Sequence, residues 1–240
     1  MPLPDVVSRE VWLTARKALL EEEKAATRAR DALNAQRRRL PMVEIEKPYV
    51  FTGPDGRATL LDLFEGRRQL VVYHFMFDPK WQVGCAGCTG WADEMSAGEI
   101  RHLEDHETSF TCISRAPIGK LTTYKDRRGW SFPWYSSFGS DFNYDFRVTF
   151  DESVAPIEYN YRSPEEHRAR GTGYYLSDEQ PFELHGLSCL LRDGDRVFHT
   201  YSTYGRGPEA VGGSSYVLDL TALGRQEDWE EPKGRSRPDQ

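Results

Sequence analysis

Leu70-Val71-Val72-Tyr73-His74-Phe75-Met76-Phe77, followed shortly by Gly84-Cys85-Ala86-Gly87-Cys88, decides the fold. The first run is apolar at nearly every position, which suits a central strand covered on both faces. The residues after Cys88 are helix-compatible to about His106. The cysteine pair therefore lies between a buried strand and a helix. A cysteine at a helix N-terminus meets unpaired backbone N–H groups and the positive end of the helix dipole, and both favour thiolate over thiol. The thiolate is the reactive form. Cys88, one turn later, is spaced to attack a mixed disulfide formed on Cys85. Gly84 and Gly87 let the backbone turn and leave the first sulfur open.

Working outward, Tyr49-Val50-Phe51 reads as a strand, Gly53-Pro54-Asp55-Gly56 as a turn, and Leu60 to Phe64 as a short helix or turn. Phe110 to Ser114 reads as a second strand and Ile118 to Arg128 as a helix. Trp130 to Tyr161 is unusually aromatic and broken by turn formers, so it is expected to be a strand and then a long insertion. Leu187–Arg192 and Arg196–Tyr204 flank Asp193-Gly194, whose positive φ preference marks a hairpin. Upstream, Ser8 caps a charged helical arm running to about Arg39, with Trp12, Ala15 and Leu19 at helical spacing and Pro41 ending it. Tyr216 to Leu223 can form a closing helix, and Gln226 to Gln240 reads as a loose polar tail. The expected organisation is an arm over 1–40, a domain over 41–225 with its insertion at about 138–183, and a tail over 226–240.

Composition excludes several classes. With 31 basic against 38 acidic residues, the net charge of -7 argues against a phosphate-backbone binder. No nucleic-acid partner is expected, and Arg37-Arg38-Arg39 reads as a solvated helix end. No run is long and apolar enough to span a bilayer, and Met1 to Glu10 has no signal-peptide core. The expectation is a cytoplasmic protein without a membrane partner. There, cysteine pairs are catalytic, redox-sensing or metal-binding rather than structural.

Zinc is the competing reading of the pair. Structural zinc usually takes four ligands, whereas Cys112 and Cys189 stand alone in predicted strands. His102 and His106 share a helical spacing that reads more simply as a solvated face, so no metal and no cofactor are expected. Other candidate substrate contacts are Trp81, His74, Arg115, His199 and Arg206. His74 lies inside the central strand, either as a satisfied core histidine or as a polar group near the pocket. Arg115 ends the second strand, at the sheet edge where ligands bind open α/β sheets, and is either an anion contact or an ordinary surface arginine. His199 shares a face with Tyr201 by strand alternation. Arg206 lies in Tyr204-Gly205-Arg206-Gly207, either an anion-binding loop or a plain turn.

These segments resemble a known family. Tyr73-His74-Phe75-Met76-Phe77, Cys85-x-x-Cys88, Ser114-Arg115-Ala116-Pro117, Gly129-Trp130-Ser131-Phe132-Pro133-Trp134, Asp141-Phe142-Asn143-Tyr144-Asp145-Phe146 and Phe198 to Gly207 are similar to the DUF899 thioredoxin-like proteins of bacteria. The resemblance implies an α/β fold: a thioredoxin-like three-layer sandwich with a central mixed sheet, carrying the N-terminal arm and the aromatic-rich insertion. It also implies thiol–disulfide oxidoreductase chemistry, with Cys85 as nucleophile and Cys88 as resolving cysteine. The partners would be a thiol or disulfide substrate, protein or small molecule, and a separate reductant. Two departures matter. Thioredoxins place a cis-proline just before the strand that here begins near Leu187, but this chain has His185-Gly186 there. The peroxiredoxin threonine three residues before the reactive cysteine is replaced by Gln82, which argues against direct peroxide reduction. The alternative is a non-catalytic ligand- or cofactor-binding module whose aromatic insertion forms the pocket. The arm is also a candidate homodimer contact.

Overall fold

Ten strands and seven α-helices are formed by residues 4–211 and 213–221, which the computed structural model describes. The strands are β1 Val43–Glu44, β2 Val50–Gly53, β3 Gly56–Thr59, β4 Gln69–His74, β5 Thr108–Ser114, β6 Trp134–Ser136, β7 Thr149–Phe150, β8 Phe182–Glu183, β9 Gly186–Asp193 and β10 Arg196–Tyr204. The helices are α1 Arg9–Arg37, α2 Ala86–Asp93, α3 Ala97–Glu104, α4 Ile118–Arg128, α5 Phe142–Asp145, α6 Pro164–Ala169 and α7 Gly213–Leu218. The chain divides into two units, one within Met42–Gly212, the other from the described parts of Met1–Pro41 and Gly213–Gln240.

The larger unit is built on a mixed sheet in the order β1-β10-β9-β4-β5-β6-β2-β3. β4 lies at its centre, parallel to β5 and antiparallel to β9. The order β5-β4-β9-β10, with helices crossing from β4 to β5 and the β9–β10 hairpin closing the other side, is the thioredoxin-like core that the resemblance implied. Alternation along β4 divides the apolar run between two layers. Val71 and Tyr73 meet α2, α3 and α4 through Cys88, Ala92, Leu103 and Leu121. Leu70 and Val72 meet Phe64, Phe142 and Phe146 on the other face.

Some elements differ from expectation. The stretch after Cys88 forms two helices instead of one. Ser96 is the break: its hydroxyl accepts from the Glu99 amide at 3.1 Å and caps α3. The aromatic stretch has three fates. Trp130, Phe132 and Trp134 pack into the layer that holds the cysteines. Phe142 and Phe146 cover the opposite sheet face. Val148, Phe150, Ile157, Tyr159 and Tyr204 form a third cluster of their own. In β10 the register slips between His199 and Tyr201, opposite Leu190 and Cys189 respectively. The extra residue is Thr200, whose hydroxyl donates to the Cys189 carbonyl at 2.9 Å. The bulge breaks the alternation, so His199 shares its face with Ser202 and not with Tyr201.

In the smaller unit, α1 starts where Ser8 accepts from the Val11 amide, and none of its residues is buried. The closing helix lies at Gly213–Leu218, earlier than the expected Tyr216–Leu223. Residues 222–240, including the end of that expected helix and the predicted tail, lie outside the described residues.

Candidate active site

The loop from Asp78 to Gly84 is held at both ends and in the middle. The Cys85 amide donates to the Met76 carbonyl at 3.0 Å, which brings the end of the loop back beside its start. The Lys120 ammonium donates to the carbonyls of Pro79 and Trp81 at 2.7 and 2.8 Å. Gly84 passes so close to Phe75 that an added Cβ would lie 2.5 Å from the ring. A larger residue there would displace the turn that delivers Cys85.

Cys85 is the N-cap of α2, as its sequence position implied. It is half-buried, whereas Cys88 is buried, and neither is in a disulfide. The two thiols are driven apart in acidity. The hydrogen bond from Cys88 is the largest cause holding the Cys85 thiol down at about 5. Partial burial opposes it, and the Cys88 and Gly87 amides and the nearby His185 assist it. No full capping bond to the sulfur is closed, so the amides act by proximity. Burial pushes the Cys88 thiol well above its ordinary value, and the neighbouring Cys85 pushes it further. The pair is thus one accessible thiolate beside one buried thiol.

These sulfurs open into a cleft of about 210 Å³ between Tyr73, Trp91, His185 and Pro208. Trp91 stacks on Tyr73 with ring centroids 4.1 Å apart and donates its indole N–H to the Pro208 carbonyl at 3.2 Å. Such a stack adds roughly 0.5–1.5 kcal/mol beyond area burial, which fixes one wall of the cleft. His185 stands where thioredoxins carry a cis-proline, immediately before β9. The Gln180–Pro181 bond is cis, but Pro181 precedes β8 and is not among the residues lining the cleft.

Of the residues singled out from sequence, only Cys85 and Cys88 line this cleft. Trp81 lies exposed on the preceding loop. Arg206 pairs with Glu209 at 3.0 Å, and Glu209 reaches the cleft. Arg115 donates to Asp78 at 2.7 Å and to Glu183 at 2.6 Å. Tyr73, Trp91 and His185 were not singled out. Alternation from Cys-facing positions of β4 could have marked Tyr73. His185 was visible only as the place where a proline was missing.

His74 and His199 lie on the other sheet face. There His74 Nε2 meets Ser188 Oγ, Ser188 Oγ meets Ser202 Oγ, and Ser202 Oγ meets His199 Nε2, each at 2.7 Å. His74 Nδ1 is buried without a partner among the described residues. Burial, with a smaller contribution from His199, pushes the His74 imidazole down to about 3. Unfolded, this group protonates near 6.5. Between those values the unfolded chain holds more protons, so stability rises with pH across the window and levels off above it. Unfolding in urea at pH 4.5 and 7 should differ by about 2–3 kcal/mol from this residue. His74→Phe should flatten that part of the slope; an unchanged slope would show that His74 is not its source.

A thioredoxin-like sheet with a Cys-x-x-Cys pair at the start of its first crossover helix defines the class of protein. The chain belongs to the DUF899 family, described as bacterial proteins of unknown function, whose model matches residues 1–239. Solved structures with a similar backbone include the bacterioferritin comigratory protein of Xanthomonas campestris, at 12% identity and TM-score 0.46 over 72% of this chain and 94% of that one. Peroxidoxin BcpB of Mycobacterium tuberculosis is 12% identical with TM-score 0.44, over 67% and 86% of the two chains. A putative protein disulfide isomerase of Bacteroides thetaiotaomicron is 15% identical with TM-score 0.39, over 72% and 87%. No curated protein matches the chain. Among the described residues, no helix is long and apolar enough to cross a membrane.

Proposed function

We propose that the protein is a thiol–disulfide oxidoreductase in which Cys85 attacks and Cys88 resolves. The observation that carries this reading is the division of labour between the sulfurs, one half-buried thiolate at a helix start and one buried thiol beside it. The Cys85 thiolate attacks one sulfur of a substrate disulfide. The substrate S–S bond breaks, and the departing thiolate takes up a proton. Cys88 then loses its proton and attacks the Cys85 sulfur, which releases the second substrate thiol and leaves a Cys85–Cys88 disulfide. Two electrons have passed to the substrate, and an external dithiol reductant must return them. With substrate and product exchanged, the same steps run as oxidation.

Equilibration with glutathione buffers, read by mass spectrometry of alkylated protein, tests this. The expected result is a reversible Cys85–Cys88 disulfide with a potential in the cycling range of roughly −180 to −270 mV. Failure to form the disulfide at any ratio would sink the assignment.

That outcome would favour a second reading, a ligand-binding module. A cleft of about 410 Å³ on the sheet face opposite the cysteines supports it. Its walls come from β1, Tyr49, the insertion through Phe146 and Tyr161, and His199 at the end of the serine–histidine chain. Apolar walls with a few convergent polar groups are the usual makeup of a small-molecule site.

A further inference from the structure

We infer that His185 is the proton-transfer residue of the cysteine site, protonating the thiolate that Cys85 displaces and then receiving the Cys88 proton. This rests on the oxidoreductase reading above.

The argument begins with the tautomer. His185 Nε2 lies 2.8 Å from the Gly205 carbonyl oxygen. A carbonyl only accepts, so Nε2 carries a hydrogen in every protonation state. Nδ1 is then the only ring nitrogen that can gain or lose a proton, and it has no hydrogen-bond partner among the described residues. The ring is also held in place. Tyr159 donates its hydroxyl to the His185 carbonyl at 3.1 Å and accepts from the Gly205 amide at 2.7 Å. One tyrosine of the third cluster thus holds both the histidine backbone and the glycine that fixes its tautomer. Gly205 has a φ of +57°, the left-handed region, and an added Cβ would lie 2.9 Å from the Tyr175 hydroxyl. The carbonyl that orients His185 is therefore set by a position where a side chain does not fit.

The surroundings leave His185 this role. The titratable groups facing the same cleft are Cys85 and Cys88 from α2, Tyr73 from β4 and Glu209 after β10. Tyr159 is spent on the backbone, and burial pushes its phenol up beyond use as an acid. Tyr73 is raised by burial in the same way. Glu209 is already paired with Arg206. Cys88 is a buried thiol whose burial holds its proton on, so it needs a base before it can attack the mixed disulfide on Cys85.

The protons balance. In the inferred cycle the first attack is made by the Cys85 thiolate with the transferable proton on His185 Nδ1. Attack on R–S–S–R′ forms the Cys85–S–S–R bond, and R′S⁻ takes the His185 Nδ1 proton to leave as R′SH. Neutral His185 then accepts the Cys88 proton as Cys88 attacks Cys85, and returns it to departing RS⁻. The sum is one substrate disulfide and two protein thiols giving two substrate thiols and one protein disulfide.

His185→Gln tests this, because glutamine can still donate to the Gly205 carbonyl but shuttles no proton. The full chain is reacted under single turnover with two disulfides of different leaving group. Hydroxyethyl disulfide releases a basic alkyl thiolate that needs a proton; dithiodipyridine releases a stabilised aryl thiolate that does not. The expected result is a loss of about 10²-fold with the alkyl disulfide and a change within a few-fold with the aryl one. Equal slowing with both, or no slowing with either, overturns the inference. If the wild-type protein reacts with neither, the oxidoreductase reading fails, and the pH profile of Cys85 alkylation by iodoacetamide still judges His185. The midpoint of that profile should move to higher pH in the variant, since His185 is among the groups that hold the Cys85 thiol down; an unmoved profile overturns the pairing. Should His185→Gln fail to fold, His185→Asn takes its place in both measurements.

Discussion

Cys85→Ser is expected to abolish disulfide reduction, a loss of roughly 10⁴-fold or more, whereas Cys88→Ser should stop the reaction halfway. The reason is the asymmetry of the pair. A serine hydroxyl at position 85 stays protonated, and Cys88 cannot substitute because it is buried and its thiol is pushed far up by burial. In Cys88→Ser the first attack survives, since a serine hydroxyl can still donate to the Cys85 sulfur as the Cys88 thiol does. The mixed disulfide then has no resolving sulfur and should accumulate at one substrate arm per chain, readable by intact mass. Cys88→Ala separates the two roles of Cys88. It also traps the mixed disulfide, but it removes the hydrogen bond that is the largest cause of the low Cys85 acidity value. Its first attack should therefore be slower than that of Cys88→Ser below pH 7 and approach it at higher pH. Turnover by Cys85→Ser, or normal turnover by Cys88→Ser, would reverse or remove the assigned roles.

Arg115→Ala is expected to be strongly destabilising. The Arg115 side chain is 15% exposed and that of Glu183 is 2% exposed, so their contact is a buried pair. Glu183 also accepts from the Thr149 hydroxyl at 2.7 Å. Burial pushes the Glu183 carboxyl up, and Arg115 is the charge that pulls it back. Deleting the guanidinium strands Glu183 and Asp78 without their partner, which typically costs about 3–5 kcal/mol. For a chain of this size that corresponds to a fall in Tm of roughly 10 °C. Much of the cost is the abandoned charge and not the lost bond. Adding Glu183→Gln to Arg115→Ala should therefore recover a good part of the loss, although Glu183→Gln alone destabilises. Calorimetry of the two single variants and the double variant measures this directly. Strictly additive losses would show that the two residues do not stabilise each other. Arg115 ties Glu183 of β8 to Asp78, which begins the loop leading to Cys85.

Much of this was legible along the chain because it depends on local pattern. The apolar run became β4 as far as His74, Ile118–Arg128 became α4 with the same ends, and the hairpin expected at Asp193-Gly194 formed with its turn one residue later, at Gly194-Asp195, because Asp193 still pairs with Arg196. The pair at the strand–helix junction fell on the helix N-terminus because glycine and cysteine spacing are themselves local. Short strands were not legible. Val43-Glu44 is too brief for any periodicity and pairs with β10 only where that hairpin offers an edge. The bulge at Thr200 was hidden for a similar reason, since a register slip is a property of two strands and appears in neither alone.

The sequence by itself determined the central strand, the hairpin and the two sulfurs at a strand–helix junction, through hydrophobic pattern, turn residues and the C-x-x-C spacing, and its family resemblance implied the thioredoxin-like core. Tertiary structure alone decided which other residues share the cleft of the two sulfurs. It sent His74 and His199 to the far face of the sheet, joined through Ser188 and Ser202. It engaged Arg115 with two carboxylates and brought His185 from beyond the insertion to the cysteines. The physical reason is range. Strand and helix signals are set by neighbours a few residues apart, whereas burial, pairing and acidity at a site are set by groups that meet only when distant segments pack.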